Sequence, residues 1–164
     1  MKNILTTLIV FISATVFSQD GIATTSKKAF SRTTTVSTEI KGTSSEVWNL
    51  LTNADKYKDW NSTLVYFDGE IKEGAKISLV TTLDTARTFQ LKVEELVTNE
   101  KMVWSDKMGE RVYTLTKTES GVLFTMTEKI GGLMFPLFAK KIPSFDEQFE
   151  QFARDLKGAV EAGR

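Results

Sequence analysis

The sequence predicts an α+β domain, an antiparallel sheet packed against one long C-terminal helix. Three observations carry this. Thr33 to Lys41 is β-branched and alternates, with Val36, Thr38 and Ile40 on one face, the period of a half-buried strand. From Leu64 to Ile130, turn residues recur at the spacing of about 8–12 that marks an antiparallel meander. Phe145, Phe149, Phe152, Leu156 and Val160 then fall on one face of a helix.

The elements follow in order. Met1-Lys2-Asn3 carries one positive charge, and Ile4 to Phe17 is apolar and uncharged. That run is shorter than the roughly 20 residues a spanning helix needs. Its length and the ending Val16-Phe17-Ser18 read as a secretory signal over residues 1–18, cut after Ser18. A retained N-terminal anchor is the alternative. Residues 19–32 are polar and read as a flexible leader. The strand from Thr33 ends at Gly42. Thr43-Ser44-Ser45-Glu46 has the spacing of a capping box, and Val47, Leu50, Leu51 and Ala54 give the helical stripe behind it. A second short helix runs from Tyr57 to Trp60. Strands are predicted at Leu64–Asp68, Lys76–Leu83, Phe89–Val97, Met102–Met108, Arg111–Lys117 and Val122–Ile130. Gly131-Gly132 and Pro136 keep Leu133–Ile142 irregular or kinked at Pro136. Ser144-Phe145-Asp146-Glu147 reads as a second capping box, with Pro143 before it.

Composition excludes whole classes of chemistry. The chain of 164 residues has no His and no Cys. Disulfides, thiolate nucleophiles, Cys/His zinc sites, two-histidine iron sites and Ser-His-Asp triads are therefore impossible. No metal or cofactor is expected. Lys plus Arg equals Asp plus Glu at 21 each, so nothing favours nucleic acid. Removing residues 1–18 takes away Lys2 and no acid, which leaves 20 bases against 21 acids. An exported chain without cysteines draws its stability from its core alone, and roughly 130 residues suffice for one.

Glu46-Val47-Trp48-Asn49-Leu50-Leu51-Thr52-Asn53, followed by Tyr57-Lys58-Asp59-Trp60-Asn61, resembles the opening of the SRPBCC superfamily. That group includes the START lipid-transfer domains, the birch-pollen-allergen-like proteins and the polyketide cyclase/dehydrase proteins. Gly69, the Lys72-Glu73-Gly74 turn and the tail from Gly132 to Leu156 are similar too. The resemblance spans residues 33–162 and implies the helix-grip fold, in which a curved antiparallel sheet wraps a long C-terminal helix. It also implies a cavity between them for a hydrophobic or amphipathic small molecule. It does not imply catalysis, because the fold carries binders and enzymes alike. The ring-hydroxylase members need histidine ligands, which this chain lacks.

Turn positions and parity give a trial register. With Met108-Gly109 and Glu119-Ser120 as two-residue loops, Trp104 faces Tyr113 and Tyr113 faces Met126. Asp106 faces Arg111, and Arg111 faces Glu128. Met102, Leu115 and Phe124 align. With Asn99-Glu100 as a loop, Glu95 lies beside Trp104. A bulge at Gly109 or Gly121 would slip this by one residue, against the hydrophobic parity. The expected ligand-binding set is Phe89, Leu91, Trp104, Arg111, Tyr113, Phe124 and Met126 on the sheet, with Phe149 and Phe152 on the helix and Trp60 at the rim. Leu156 closes the floor.

Glu95, Asp106 and Glu128 around Arg111 are the candidates for proton transfer or for gripping a polar head group. The plain alternative is a cross-strand ion pair. Three readings follow: an exported, periplasmic or secreted, binding protein for a lipid or other hydrophobic molecule; a cofactor-free cyclase- or isomerase-type enzyme; and an interaction protein with a collapsed cavity. The first needs only the pocket and is preferred. Lys27-Lys28 and Lys140-Lys141 read as solvated surface, with transient contact to anionic lipid heads as the alternative.

Overall fold

Alternating β-branched segments build a single eight-stranded sheet in the computed structural model, which describes residues 20–163. The signal segment read over residues 1–18 lies outside the described residues. The strands are β1 (Thr24–Lys28), β2 (Ser31–Ile40), β3 (Leu64–Asp68), β4 (Lys76–Thr81), β5 (Asp84–Val97), β6 (Lys101–Ser105), β7 (Gly109–Lys117) and β8 (Val122–Gly131). Every neighbouring pair is antiparallel, in the order β1-β2-β8-β7-β6-β5-β4-β3. Helices α1 (Ser44–Thr52) and α2 (Tyr57–Trp60) follow β2, α3 (Phe135–Phe138) follows β8, and α4 (Asp146–Ala162) closes the chain.

The first capping box forms as read. The Thr43 side chain accepts from the Glu46 N–H, and the Glu46 carboxylate accepts from the Thr43 N–H at 2.6 Å. The second does not. Helix α4 starts at Asp146 with no side-chain cap on Phe145, because Ser144 Oγ turns to the Asp146 carboxylate at 2.9 Å. The apolar stripe of α4 is buried as predicted, with Phe149, Phe152, Leu156 and Val160 facing Val36, Phe124 and Met126 in one core. The sheet and α4 thus make the helix-grip fold.

The leader is a correction. Residues 24–28 form the edge strand β1, in continuous register with β2. Its alternating Thr24-Thr25 suits a strand, and Ala29-Phe30 makes the two-residue turn into β2. Side chains bind it down as well. Asp20 accepts from Thr38 Oγ1 at 2.7 Å and from Lys157 Nζ at 3.2 Å, and Glu150 accepts from the Ala23 N–H at 3.1 Å. Polarity alone misreads this stretch, because part of what holds it lies on α4.

Register is the second correction. The β7–β8 hairpin pairs as expected, with Tyr113 opposite Met126, Arg111 opposite Glu128 and Leu115 opposite Phe124. The β6–β7 loop is Lys107-Met108, not Met108-Gly109, so Trp104 faces Arg111 and Met102 faces Tyr113. A two-residue displacement preserves parity, so every core side chain keeps its face. Asp106 ends up in the turn. Its carboxylate accepts from the Met108 N–H at 2.7 Å and the Gly109 N–H at 2.9 Å.

Between β5 and β6 the loop has three residues, with Asn99 in the left-handed region at φ 64°. A bulge between Val93 and Glu95 then puts Val93, not Glu95, opposite Trp104. Glu95 pairs across from Val103 and bonds the Lys101 ammonium at 2.7 Å.

Candidate functional site

At the end of the sheet nearest the start of α4, the strands splay from the helix and leave a cavity of about 420 Å³. Its floor comes from β4 and β5 (Leu79, Phe89, Leu91), β6 (Trp104), and β7 and β8 (Arg111, Glu128, Ile130). Its roof comes from the end of α3 (Phe138) and the segment after it (Lys141, Ile142, Pro143), with Phe145 and Gln148. Exposed Leu83, Arg87, Asp106, Glu110 and Lys141 stand at the mouth. Most of the wall is apolar. The cavity exists because α4 begins only at Asp146, so no helix turn fills the space over Phe89 and Leu91.

Arg111 and Glu128 are the polar feature of this wall. They sit directly opposite on β7 and β8, and the Glu128 carboxylate accepts from both Nε and Nη2 of the guanidinium. The Phe149 ring lies 5.2 Å from the guanidinium carbon. Burial pulls the Arg111 pKa down, but the Glu128 carboxylate and the Tyr113 oxygen outweigh it and leave it above the ordinary arginine value. Tyr113 is pushed up to about 12 by burial, against the pull of the neighbouring Arg111 charge. Its hydroxyl lies beside the guanidinium but reaches no hydrogen-bond geometry. At neutral pH the Arg111 of this wall is therefore charged, and the Tyr113 beside it is neutral.

Behind Trp104 is a second, much smaller space of about 10 Å³, lined in part by Asn61, Tyr113, Met126 and Phe152. Leu79, Thr81, Trp104, Arg111, Gln148 belong to both walls. Trp104 Nε1, the Tyr113 hydroxyl and Asn61 Nδ2 are buried without a partner among the described residues. A space of this size takes one water, the partner that buried donors of this kind require.

The predicted site residues divide into three groups. Phe89, Leu91, Trp104, Arg111, Glu128 and Asp106 line the large cavity. Tyr113, Met126, Phe149 and Phe152 line only the small space. Trp60, Phe124 and Glu95 line neither. Trp60 is not at the cavity rim. Its ring is half-buried and packs against the core, on Tyr57 at 5.3 Å and Phe152 at 5.3 Å. Phe124 is fully buried between Tyr113 and Phe152. Asp106 is spent on its turn, Glu95 points to the outer face, and Glu128 is held by Arg111. The expected ring of carboxylates around one guanidinium is thus a single ion pair.

The sequence reading missed the roof. Phe138 and Ile142 sit in the stretch read as irregular, where no periodicity assigns a face, and Pro143 was read only as the entry to the last helix. It also missed Leu79 and Thr81, although Lys76–Leu83 is read as a strand. Their alternation was the available signal.

The family model described as Activator of Hsp90 ATPase homolog 1-like protein matches residues 41–161. The fold is similar to that of MLL2253 from Mesorhizobium loti at 17% identity and TM-score 0.64, covering 81% of this chain and 99% of that one. SSP2350 from Staphylococcus saprophyticus is similar at 15% identity and TM-score 0.61, over 79% and 91% of the two chains. A protein from Rhodobacter sphaeroides is similar at 15% identity and TM-score 0.62, over 85% and 99%. At these identities the likeness is one of fold. Among curated proteins, none matches the sequence.

Proposed function

Because the chain belongs to the family of Activator of Hsp90 ATPase homolog 1-like proteins, part of the SRPBCC superfamily, whose fold is typically a ligand-binding one, we propose that it is an exported binding protein for a lipid or other amphipathic small molecule. The large cavity carries this reading. Its volume of about 420 Å³ lies in the range of small-molecule sites, and its apolar wall bears one polar pair. An acyl chain or ring system would lie over Phe89 and Leu91. A polar end would meet Arg111 and Glu128 or emerge among the charged residues at the mouth. Export rests on residues 1–18, and N-terminal sequencing of the mature chain should begin at Gln19.

Native mass spectrometry of the protein purified from its own envelope fraction tests the reading. A stoichiometric adduct is expected, and solvent extraction then gives its chemical class. Phe89→Ala removes cavity wall and should lower occupancy. Glu95→Gln, on the outer face, should leave it unchanged. A clean unliganded mass, together with no uptake of amphiphiles on titration, would refute the proposal.

A further inference from the structure

Four large apolar side chains stand in solvent at one corner of the molecule. Leu133 is 83% exposed, Leu137 73%, Met134 61% and Phe30 55%. Singly exposed apolar residues are ordinary, but a cluster is not. These four converge because the Gly132 N–H donates to the Phe30 carbonyl at 3.0 Å, joining the β1–β2 turn to the chain after β8. The corner is built firmly. Phe135 is buried beneath it and meets Phe138 edge to face at 5.7 Å. Arg32 donates to the Ile142 carbonyl at 3.1 Å, closing the other side.

The segments that build this corner carry charge of one sign, and Glu110 stands opposite Lys129 on the neighbouring β7. Lys27, Lys28, Lys129, Lys140 and Lys141 are all exposed. Neither residues 21–38 nor residues 129–145 contain an Asp or Glu. The chain as a whole is neutral, so this is a local segregation of charge. Apolar tips that project far into solvent suit a deformable medium better than a fitted pocket. A basic rim suits one rich in phosphate.

We propose that this corner docks on an anionic phospholipid surface. Phe30, Leu133, Met134 and Leu137 enter the acyl boundary, and the flanking lysines meet the lipid phosphates. Phe138 and Lys141 also border the cavity, so docking brings the cavity mouth to the bilayer. Docking does not require a loaded cavity, and either proposal can fail while the other stands.

The chain has no cysteine, so one introduced thiol takes a dye at one place only. The full-length chain would be labelled at Leu137→Cys, or at Glu119→Cys in the β7–β8 turn at the far end of the sheet. Each would be mixed with phosphatidylcholine vesicles with and without phosphatidylglycerol. The emission at position 137 should shift to the blue on the anionic vesicles, and that at 119 should not move. At about fivefold per lysine, Lys140→Gln with Lys141→Gln should weaken vesicle affinity by more than tenfold.

No shift at 137 would overturn the proposal, including the case where the protein reaches the vesicles through residues 1–19. An equal shift on neutral vesicles, or one that grows with protein concentration without lipid, would overturn it as well. The last result would mark a contact between copies.

Discussion

Replacing Glu128 with Gln should destabilise the protein by about 2–3 kcal/mol. The structure sets this value between two limits. The Arg111 and Glu128 side chains are 21% and 14% exposed, so the pair is not a surface one, for which about 0–1 kcal/mol is typical. Removing one partner of a fully buried pair costs about 3–5 kcal/mol, because the other charge stays behind. Arg111 borders the large cavity, where water can solvate it in part, and that lowers the cost to the range given. For a chain of 164 residues this corresponds to a Tm lower by about 4–12 °C. Urea and thermal denaturation of Glu128→Gln, Arg111→Met and Arg111→Met/Glu128→Leu would measure it. The double variant should regain most of the loss, since no charge is left unpaired. A Glu128→Gln variant within about 0.5 kcal/mol of the parent would show the pair to be solvated, and the description of the cavity wall would be wrong.

Alkaline titration followed by tyrosinate absorbance should show a late step near pH 12 that Tyr113→Phe removes. Because the folded pKa is raised, the stability this group contributes is complete below about pH 10 and is lost as pH rises through 12. A Tyr113 step near pH 10 would contradict its burial. Gly69→Ala should cost more than ~1 kcal/mol, since φ is +110° and a Cβ would meet the Lys76 carbonyl oxygen at 2.7 Å. Chemical denaturation checks it, and an unchanged midpoint would refute the strain. Leu156→Ala should cost about 2–5 kcal/mol, because Leu156 is fully buried between α4 and the sheet. A smaller loss would mean that the core closes over the gap.

The fold was legible wherever one face is apolar and the other polar. Val36 and Ile40 on β2, and Phe149 to Val160 on α4, announce their burial by period alone. The Arg111–Glu128 pair was legible too, because the Glu119-Ser120 turn sets the β7–β8 register directly. Glu95 was misplaced by the β5–β6 loop, which has three residues where two were read and so sets Glu95 opposite Val103. Trp60 was misplaced because a four-residue helix carries too little period to show which way its ring turns. β1 was hidden for a different reason. Thr25 bonds Asp146 at 2.5 Å and Asp20 bonds Lys157, and partners more than 100 positions away cannot be read from a local window.

Trp104 stands in the wall common to the large cavity and the small space behind it. Its indole is the partition between them, and its Tyr113 contact at 5.1 Å holds it upright. Under the proposed function, residue 104 would act as a stop on how deep a bound molecule reaches. A smaller side chain there would open the two spaces into one and admit a longer occupant. Selectivity for length in this protein would then be a property of one ring, set in place by the bulge in β5 that puts Val93 opposite it.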